Sequence, residues 1–130
     1  MSHSGRKLVL IVDDVPTNLA VATGALKDLF RTKVTTNGEK ALAIASGAEK
    51  PDLVLLDVMM PGMDGYEVCR RLKANPETAG IPIVFITAKT CAEDREKGIE
   101  AGAVDYIHKP FEAPVLIERV QAHLRRQEQE

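Results

Sequence analysis

Tryptophan is absent, and all aromatic residues together make up 4% of the 130-residue chain. A base-stacking platform or an aromatic-lined sugar site needs more rings than that. Only two cysteines occur, Cys69 and Cys91. They form neither a CxxC pair nor a disulfide framework, which points to a reduced, cytoplasmic setting. Basic charge is not in excess, since 17 Lys+Arg face 19 Asp+Glu for a formal net charge of −2. The basic footprint of a direct nucleic-acid binder is therefore missing. No stretch reaches the roughly 18 apolar residues of a membrane span, and residues 1–7 lack the apolar segment and cleavage site of a secretory signal. The length fits one domain with a core of its own, built from Val, Leu, Ile, Ala and Met.

Three short apolar runs stand out: Leu8-Val9-Leu10-Ile11-Val12, Leu53-Val54-Leu55-Leu56 and Ile83-Val84-Phe85-Ile86. None alternates apolar with polar, which is the pattern of strands covered on both faces inside a parallel sheet. Two mixed runs, Thr32-Lys33-Val34-Thr35-Thr36 and Val104-Asp105-Tyr106-Ile107-His108, suit edge strands. Helical stripes lie between them. Leu19, Ala22, Leu26 and Leu29 follow Pro16 and Thr17, with Asn18 in the first turn. Ala41, Leu42, Ala45 and Ala48 form a second stripe closed by Lys50-Pro51. Val68, Cys69 and Leu72 form a third, introduced by Asp64-Gly65 and stopped by Asn75-Pro76. Leu116, Ile117, Val120 and Leu124 form the last, after Pro114. The fourth, Ala92 to Ala101, offers only Ala92 and Ile99 as apolar points and carries Gly98 inside, so weak packing is expected of it.

The order is βαβαβαβαβα. Such alternation gives an α/β fold: a five-stranded parallel sheet with helices on both faces and right-handed crossovers. Central-versus-edge polarity favours strand order 2-1-3-4-5, the flavodoxin-like (βα)5 arrangement. The expected organisation is a flexible leader at residues 1–6, one domain at 7–124, and a charged tail at 125–130. That tail would be a helix end or the start of a linker.

Ligands of open α/β sheets bind outside the carboxyl ends of the strands. The first run ends in Asp13-Asp14, the third strand in Asp57, the fourth in Thr87-Ala88 and the fifth in Lys109-Pro110. Each has an ordinary reading: Asp-Asp as a helix cap or a turn former, Asp57 as a loop residue, Thr87 as a strand former, Lys109 as a solvated cation. Their delivery to one rim by four strands is harder to reach by accident. Three clustered carboxylates repel one another unless cations compensate. Lys109 supplies one charge, and an all-oxygen donor set suits Mg²⁺, with Mn²⁺ as a substitute, better than Zn²⁺. A carboxylate beside such an ion, an ammonium and a hydroxyl is equipped to attack phosphorus and form an aspartyl phosphate.

These residues sit in longer signatures: Val12-Asp13-Asp14, Leu55 to Gly65, Ile86-Thr87-Ala88 and Tyr106-Ile107-His108-Lys109-Pro110-Phe111. Together, and over roughly Lys7 to Leu124, the chain resembles the receiver domain of two-component response regulators. The resemblance implies Asp57 as phosphoacceptor, and Mg²⁺ held by Asp14, Asp57 and the Met59 backbone carbonyl, with Asp13 acting through water. It implies that Lys109 pairs with Asp57 and then with the phosphoryl group. Thr87 would turn to a phosphoryl oxygen, Tyr106 would move inward, and Lys109-Pro110 would be cis. It implies a sensor histidine kinase or histidine phosphotransfer protein as donor, and readout through the fourth helix, fifth strand and fifth helix. That face would serve a homodimer, a partner or an attached output domain. The segment Asp14 to Leu19 resembles receivers joined to cyclic-dinucleotide enzymes or hybrid kinases more than those of DNA-binding regulators.

Two rivals fit less well. A cofactor binder of the flavodoxin type needs a phosphate-cradling loop after the first strand, and that loop is acidic with no glycine fingerprint. An aspartate-nucleophile phosphatase wants a second Asp two residues on, where Met59 stands. His3, His108 and His123 have no metal or nucleophile spacing and read as structural or solvated. Cys69 reads as helix core, and Cys91 has no evident activating neighbour.

Overall fold

The computed structural model describes residues 6–88 and 92–129, without the side chains of 92–94 and 127–129. The expectations for His3 and most of the leader, for Cys91, and for the Ala92 side chain lie outside the described residues. Ten elements alternate: β1 (Leu8–Val12), α1 (Pro16–Leu26), β2 (Arg31–Thr35), α2 (Gly38–Ala45), β3 (Leu53–Leu56), α3 (Gly65–Ala74), β4 (Ile83–Thr87), α4 (Ala92–Ala101), β5 (Asp105–His108) and α5 (Ala113–Gln129). The sheet runs β2-β1-β3-β4-β5 with every neighbour parallel, the expected order.

Every residue of β1, β3 and β4 is buried, because helices cover both faces and successive side chains point to opposite ones. Leu10, Val12, Val54, Leu56, Ile83 and Phe85 face Ala41, Ala45, Val68, Cys69 and Leu72 of α2 and α3. Val9, Ile11, Leu53, Leu55, Val84 and Ile86 face Leu19, Ala22, Leu26, Leu116 and Val120 of α1 and α5. Cys69 is core, as expected: its Sγ donates to the Ala101 carbonyl at 3.3 Å. Burial pushes its thiol up to about 11, against the opposing charges of Lys73 and Arg70. Among the described residues no helix is long and apolar enough to cross a membrane.

Several apolar assignments shift by a residue. Leu29, expected on the first stripe, is exposed, and Phe30 is buried in its place. The reason is that α1 ends at Leu26 and the chain turns, with Phe30 N–H donating to the Leu26 carbonyl at 2.9 Å. Ala48 and Val104 likewise fall outside their elements and are exposed. In α4, Ile99 is 51% exposed while Gly98 is buried. A Cβ at Gly98 would lie 2.9 Å from Phe85 Cδ2 and 3.4 Å from Tyr106 Cδ2. The helix thus seats its glycine on two rings, and the next residue, roughly 100° round the helix, turns to solvent.

Polar ties fix the element ends. The Asn37 side chain accepts the Lys40 N–H at 2.8 Å and caps α2. Asp105 of β5 takes Arg119 at 2.8 Å and His123 at 2.9 Å from α5, so His123 is structural. Burial pushes the Asp105 carboxyl up, but the bonds from His123, the Tyr106 amide and Arg119 outweigh it and hold it below the usual range. One position is open to improvement. Gly24 is exposed in α1 and a methyl there meets nothing within 4 Å. Gly24→Ala is expected to raise stability by about 0.5–1 kcal/mol. Urea denaturation reads this directly, and a lowered midpoint would contradict a regular helix at that position.

Candidate functional site

The parallel register carries the polar residues past the last ladder rungs to one rim. Val12 is paired with both Thr35 and Leu56, and Thr87 with His108. The residues just beyond continue the ladder: Asp13 N–H donates to Thr35 O at 3.2 Å, Asp57 N–H to Val12 O at 2.9 Å and Lys109 N–H to Thr87 O at 2.8 Å. Backbone hydrogen bonds of the sheet therefore set where the acids and the lysine stand. One carboxylate oxygen from each of Asp13, Asp14 and Asp57 lies within 4.8 Å of the others.

Asp13, Asp57 and Thr87 are buried, Asp14 half-buried. The Lys109 ammonium reaches Asp13 Oδ2 at 2.7 Å and Asp57 Oδ2 at 3.5 Å. Lys109 thus pairs with Asp57, as the resemblance implied, and more closely still with Asp13. The other Asp13 oxygen, Oδ1, accepts Val15 N–H at 3.0 Å and the Asn18 amide at 3.4 Å. Both oxygens of Asp13 are engaged by its own chain. Of the ordinary readings of Asp13-Asp14 the turn holds, since Asp13 Oδ1 takes the N–H two residues on, and the helix cap does not, because Val15 stands at the N-cap of α1 and no side chain caps it. The loop is equally poor as a phosphate cradle: Val15 N–H is spent on Asp13 and Pro16 has none.

Among the described residues one ammonium faces three carboxylates, which leaves the rim short of positive charge. Asp57 registers this. Its carboxyl is pushed from the ordinary 3.8 to about 6, first by burial and then by the Asp13 charge, with Asp14 adding to the rise. Lys109 and the Met59 N–H, 3.3 Å from Asp57 Oδ1, pull the other way. Hard oxygen donors with surplus negative charge fit a divalent cation such as Mg²⁺. The donor set is typical of such a site.

Thr87 ends β4 at the rim, and Tyr106 stands buried on β5, its ring edge-on to Phe85 at 6.3 Å and to His108 at 5.6 Å. The Met59 side chain is 57% exposed beside the cluster. The Lys109–Pro110 peptide is cis, as the resemblance implied. Not foreseen were Asn18 as a donor to Asp13 and Lys97 over the Tyr66 ring at 5.3 Å. Only the place of Asn18 in the first helical turn, right after the acidic loop, could have suggested the former.

The chain is similar to known proteins along most of its length. The chain is 48% identical over 117 residues to a probable cyclic di-GMP phosphodiesterase of Vibrio cholerae, covering 89% of this chain and 26% of that protein. It is 47% identical over 126 residues to the DNA-binding response regulator MtrA of Mycolicibacterium smegmatis, covering 96% of this chain and 54% of that one. The chain therefore spans between about a quarter and about half the length of these relatives. Among solved structures, the beryllofluoride-activated receiver domain of DrrB from Thermotoga maritima superposes with a TM-score of 0.81 at 36% identity, over 92% of this chain and 98% of that one. The response regulator receiver domain family itself matches residues 9–121, and the chain belongs to that family.

Proposed function

We propose that Asp57 accepts a phosphoryl group from a histidine kinase, a histidine phosphotransfer protein or a small phosphodonor, and that the domain is a signalling switch rather than an enzyme acting on other substrates. The observation that carries this is the convergence of Asp13, Asp14, Asp57 and Lys109 from three strand ends, with Asp57 buried among the others. An Asp57 carboxylate oxygen attacks phosphorus; the bond to the donor's imidazole nitrogen or acyl oxygen breaks, and that atom leaves with the electron pair. Asp14, Asp57 and the Met59 carbonyl would hold Mg²⁺ directly and Asp13 through water, in keeping with the full engagement of Asp13 by Lys109, Val15 and Asn18. The ion, when bound, supplies positive charge against the transferring group. Lys109, already 3.5 Å from Asp57, supplies the second positive charge. Thr87 donates its hydroxyl to a phosphoryl oxygen.

The output follows from how the rim is joined to the surface. Thr87 and Tyr106 belong to neighbouring strands, and Tyr106 packs under α4 at Gly98. A change at Thr87 therefore biases a two-state arrangement of Tyr106 and α4. The α4–β5–α5 face is the readout surface for a homodimer, a partner or an attached output domain. The relatives are one of each output kind, a phosphodiesterase and a DNA-binding regulator.

Incubation with acetyl phosphate and Mg²⁺ tests this reading by intact mass. One added phosphoryl group per chain, lost when EDTA replaces Mg²⁺, is expected. No adduct, or steady release of phosphate from an unrelated phosphoester, would overturn it. The exposed Met59 side chain has no group with which to orient an attacking water. Met59→Asn is therefore expected to speed loss of the phosphoryl group several-fold, about tenfold at most, by adding a general positioning group. A decay no faster than wild type contradicts that role.

A further inference from the structure

We propose that Gly65, the first residue of α3, is a positioning residue for the phosphoacceptor; this rests on Asp57 being that acceptor. A Cβ at Gly65 would lie 2.2 Å from the Asp57 carbonyl oxygen, 2.8 Å from Val58 Cα and 3.0 Å from the Asp57 carbonyl carbon. All three obstacles are backbone atoms of the residue that carries the chemistry and of its neighbour. None can swing aside as a side-chain tip would. Dihedral freedom is not the reason for the glycine, because the positive-φ glycines among the described residues are Gly62 and Gly102. Clearance alone demands it.

The contact is clamped from both sides. Gly65 N–H donates to the Val58 carbonyl at 2.9 Å, closing the loop between β3 and α3 at its base. On the far side, Asp57 N–H is held by Val12 O of β1 at 2.9 Å. Helix α3 cannot recoil freely either. Asp64 caps it through Glu67 N–H at 3.0 Å, and Val68, Cys69 and Leu72 are locked in the core. A side chain at Gly65 must therefore displace the Asp57–Val58–Met59 backbone. That backbone sets the Asp57 carboxylate against Lys109 at 3.5 Å and the Met59 N–H at 3.3 Å. It also sets the Met59 carbonyl proposed as a metal ligand. Displacements of about 1 Å in a reacting group lower rates on the order of a hundredfold.

The test compares wild type, Gly65→Ala and, as a control glycine replacement away from the site, Gly24→Ala. Each is checked for folding by circular dichroism and for Mg²⁺ binding by calorimetry, then labelled with acetyl phosphate across a Mg²⁺ series. Gly65→Ala is expected to raise both the Mg²⁺ dissociation constant and the Mg²⁺ needed for half-maximal labelling by about tenfold or more. It is also expected to slow labelling at saturating Mg²⁺ by about 10–100-fold. Gly24→Ala should match wild type in all three. A folded Gly65→Ala with wild-type Mg²⁺ affinity and labelling overturns the inference and leaves the phosphoacceptor reading standing; a wild type that takes no label overturns that reading first. Should Gly65→Ala not fold, hydrogen exchange at the wild-type Gly65 amide decides. Loading Asp57 with Mg²⁺ and beryllofluoride, which stands in for the phosphoryl group, should slow that exchange about tenfold, and unchanged exchange overturns the inference.

Discussion

Asp57→Asn is expected to abolish phosphoryl uptake and, in metal-free buffer, to make the protein more stable. The first effect removes the nucleophilic oxygen: an amide at that position leaves no carboxylate to form an acyl phosphate. The second follows from the electrostatics of the rim. With its carboxyl raised to about 6 from 3.8, chiefly by burial and then by Asp13, folded Asp57 holds a proton more tightly than unfolded Asp57 does. Above pH 6 the folded state therefore carries a penalty for the charged form. That penalty eases as pH falls through about 6 and is gone near the ordinary 3.8. At pH 7.5 in EDTA the variant should gain about 1–3 kcal/mol, a gain that shrinks toward zero as pH drops to 4. Saturating Mg²⁺ should erase it by compensating the wild-type acids. Urea titrations at two pH values, with and without Mg²⁺, measure all of this. A variant less stable than wild type in EDTA at pH 7.5 would contradict the charge balance described.

Lys109→Met carries the second large effect, of opposite sign in stability. The ammonium sits 2.7 Å from Asp13 Oδ2 with its side chain 18% exposed. Its removal leaves the three carboxylates with no cation paired to them among the described residues. Loss of one member of a largely buried ion pair costs about 2–4 kcal/mol, and saturating Mg²⁺ should recover part of it. Labelling by acetyl phosphate should slow by about 10²-fold, since a fixed charge at the transferring group is lost. Combined with Asp57→Asn, the destabilisation should be smaller than the sum, because one of the stranded acids is then neutral. Strict additivity would mean that Lys109 and Asp57 do not share a site.

The parts of the fold legible in the sequence are those where burial is complete. Leu8–Val12, Leu53–Leu56 and Ile83–Ile86 carry unbroken apolar runs because both faces are covered, and their order with the mixed edge strands yields the topology. From that topology the rim follows, since parallel strands place Asp13, Asp57, Thr87 and Lys109 at one end whatever the details. What escaped reading depends on close approach rather than on composition. Ile99 looks like the apolar anchor of α4, yet Gly98 is, because the helix lies too near Phe85 for any side chain. Leu29 and Phe30 exchange roles because the end of α1 is set by where the chain turns, and the C-cap is Lys27 instead of a glycine that would announce it. The pairing of Lys109 with Asp13, and the support of Asp13 by Asn18, depend on distances of a few ångströms that strand order does not fix. Gly65 reads as a helix-start glycine, and only the path of the loop back over Asp57 shows what its missing side chain permits.

The central claim is that a single carboxylate, Asp57, becomes an acyl phosphate. Borohydride reduces an acyl phosphate to an alcohol and leaves a free carboxylate untouched. Treating the acetyl phosphate-labelled protein with borohydride and sequencing its peptides by mass spectrometry should reveal homoserine at position 57 and unmodified aspartate at 13 and 14. Homoserine at Asp13 or Asp14, or at no position despite a phosphoryl mass on the intact chain, would contradict the account.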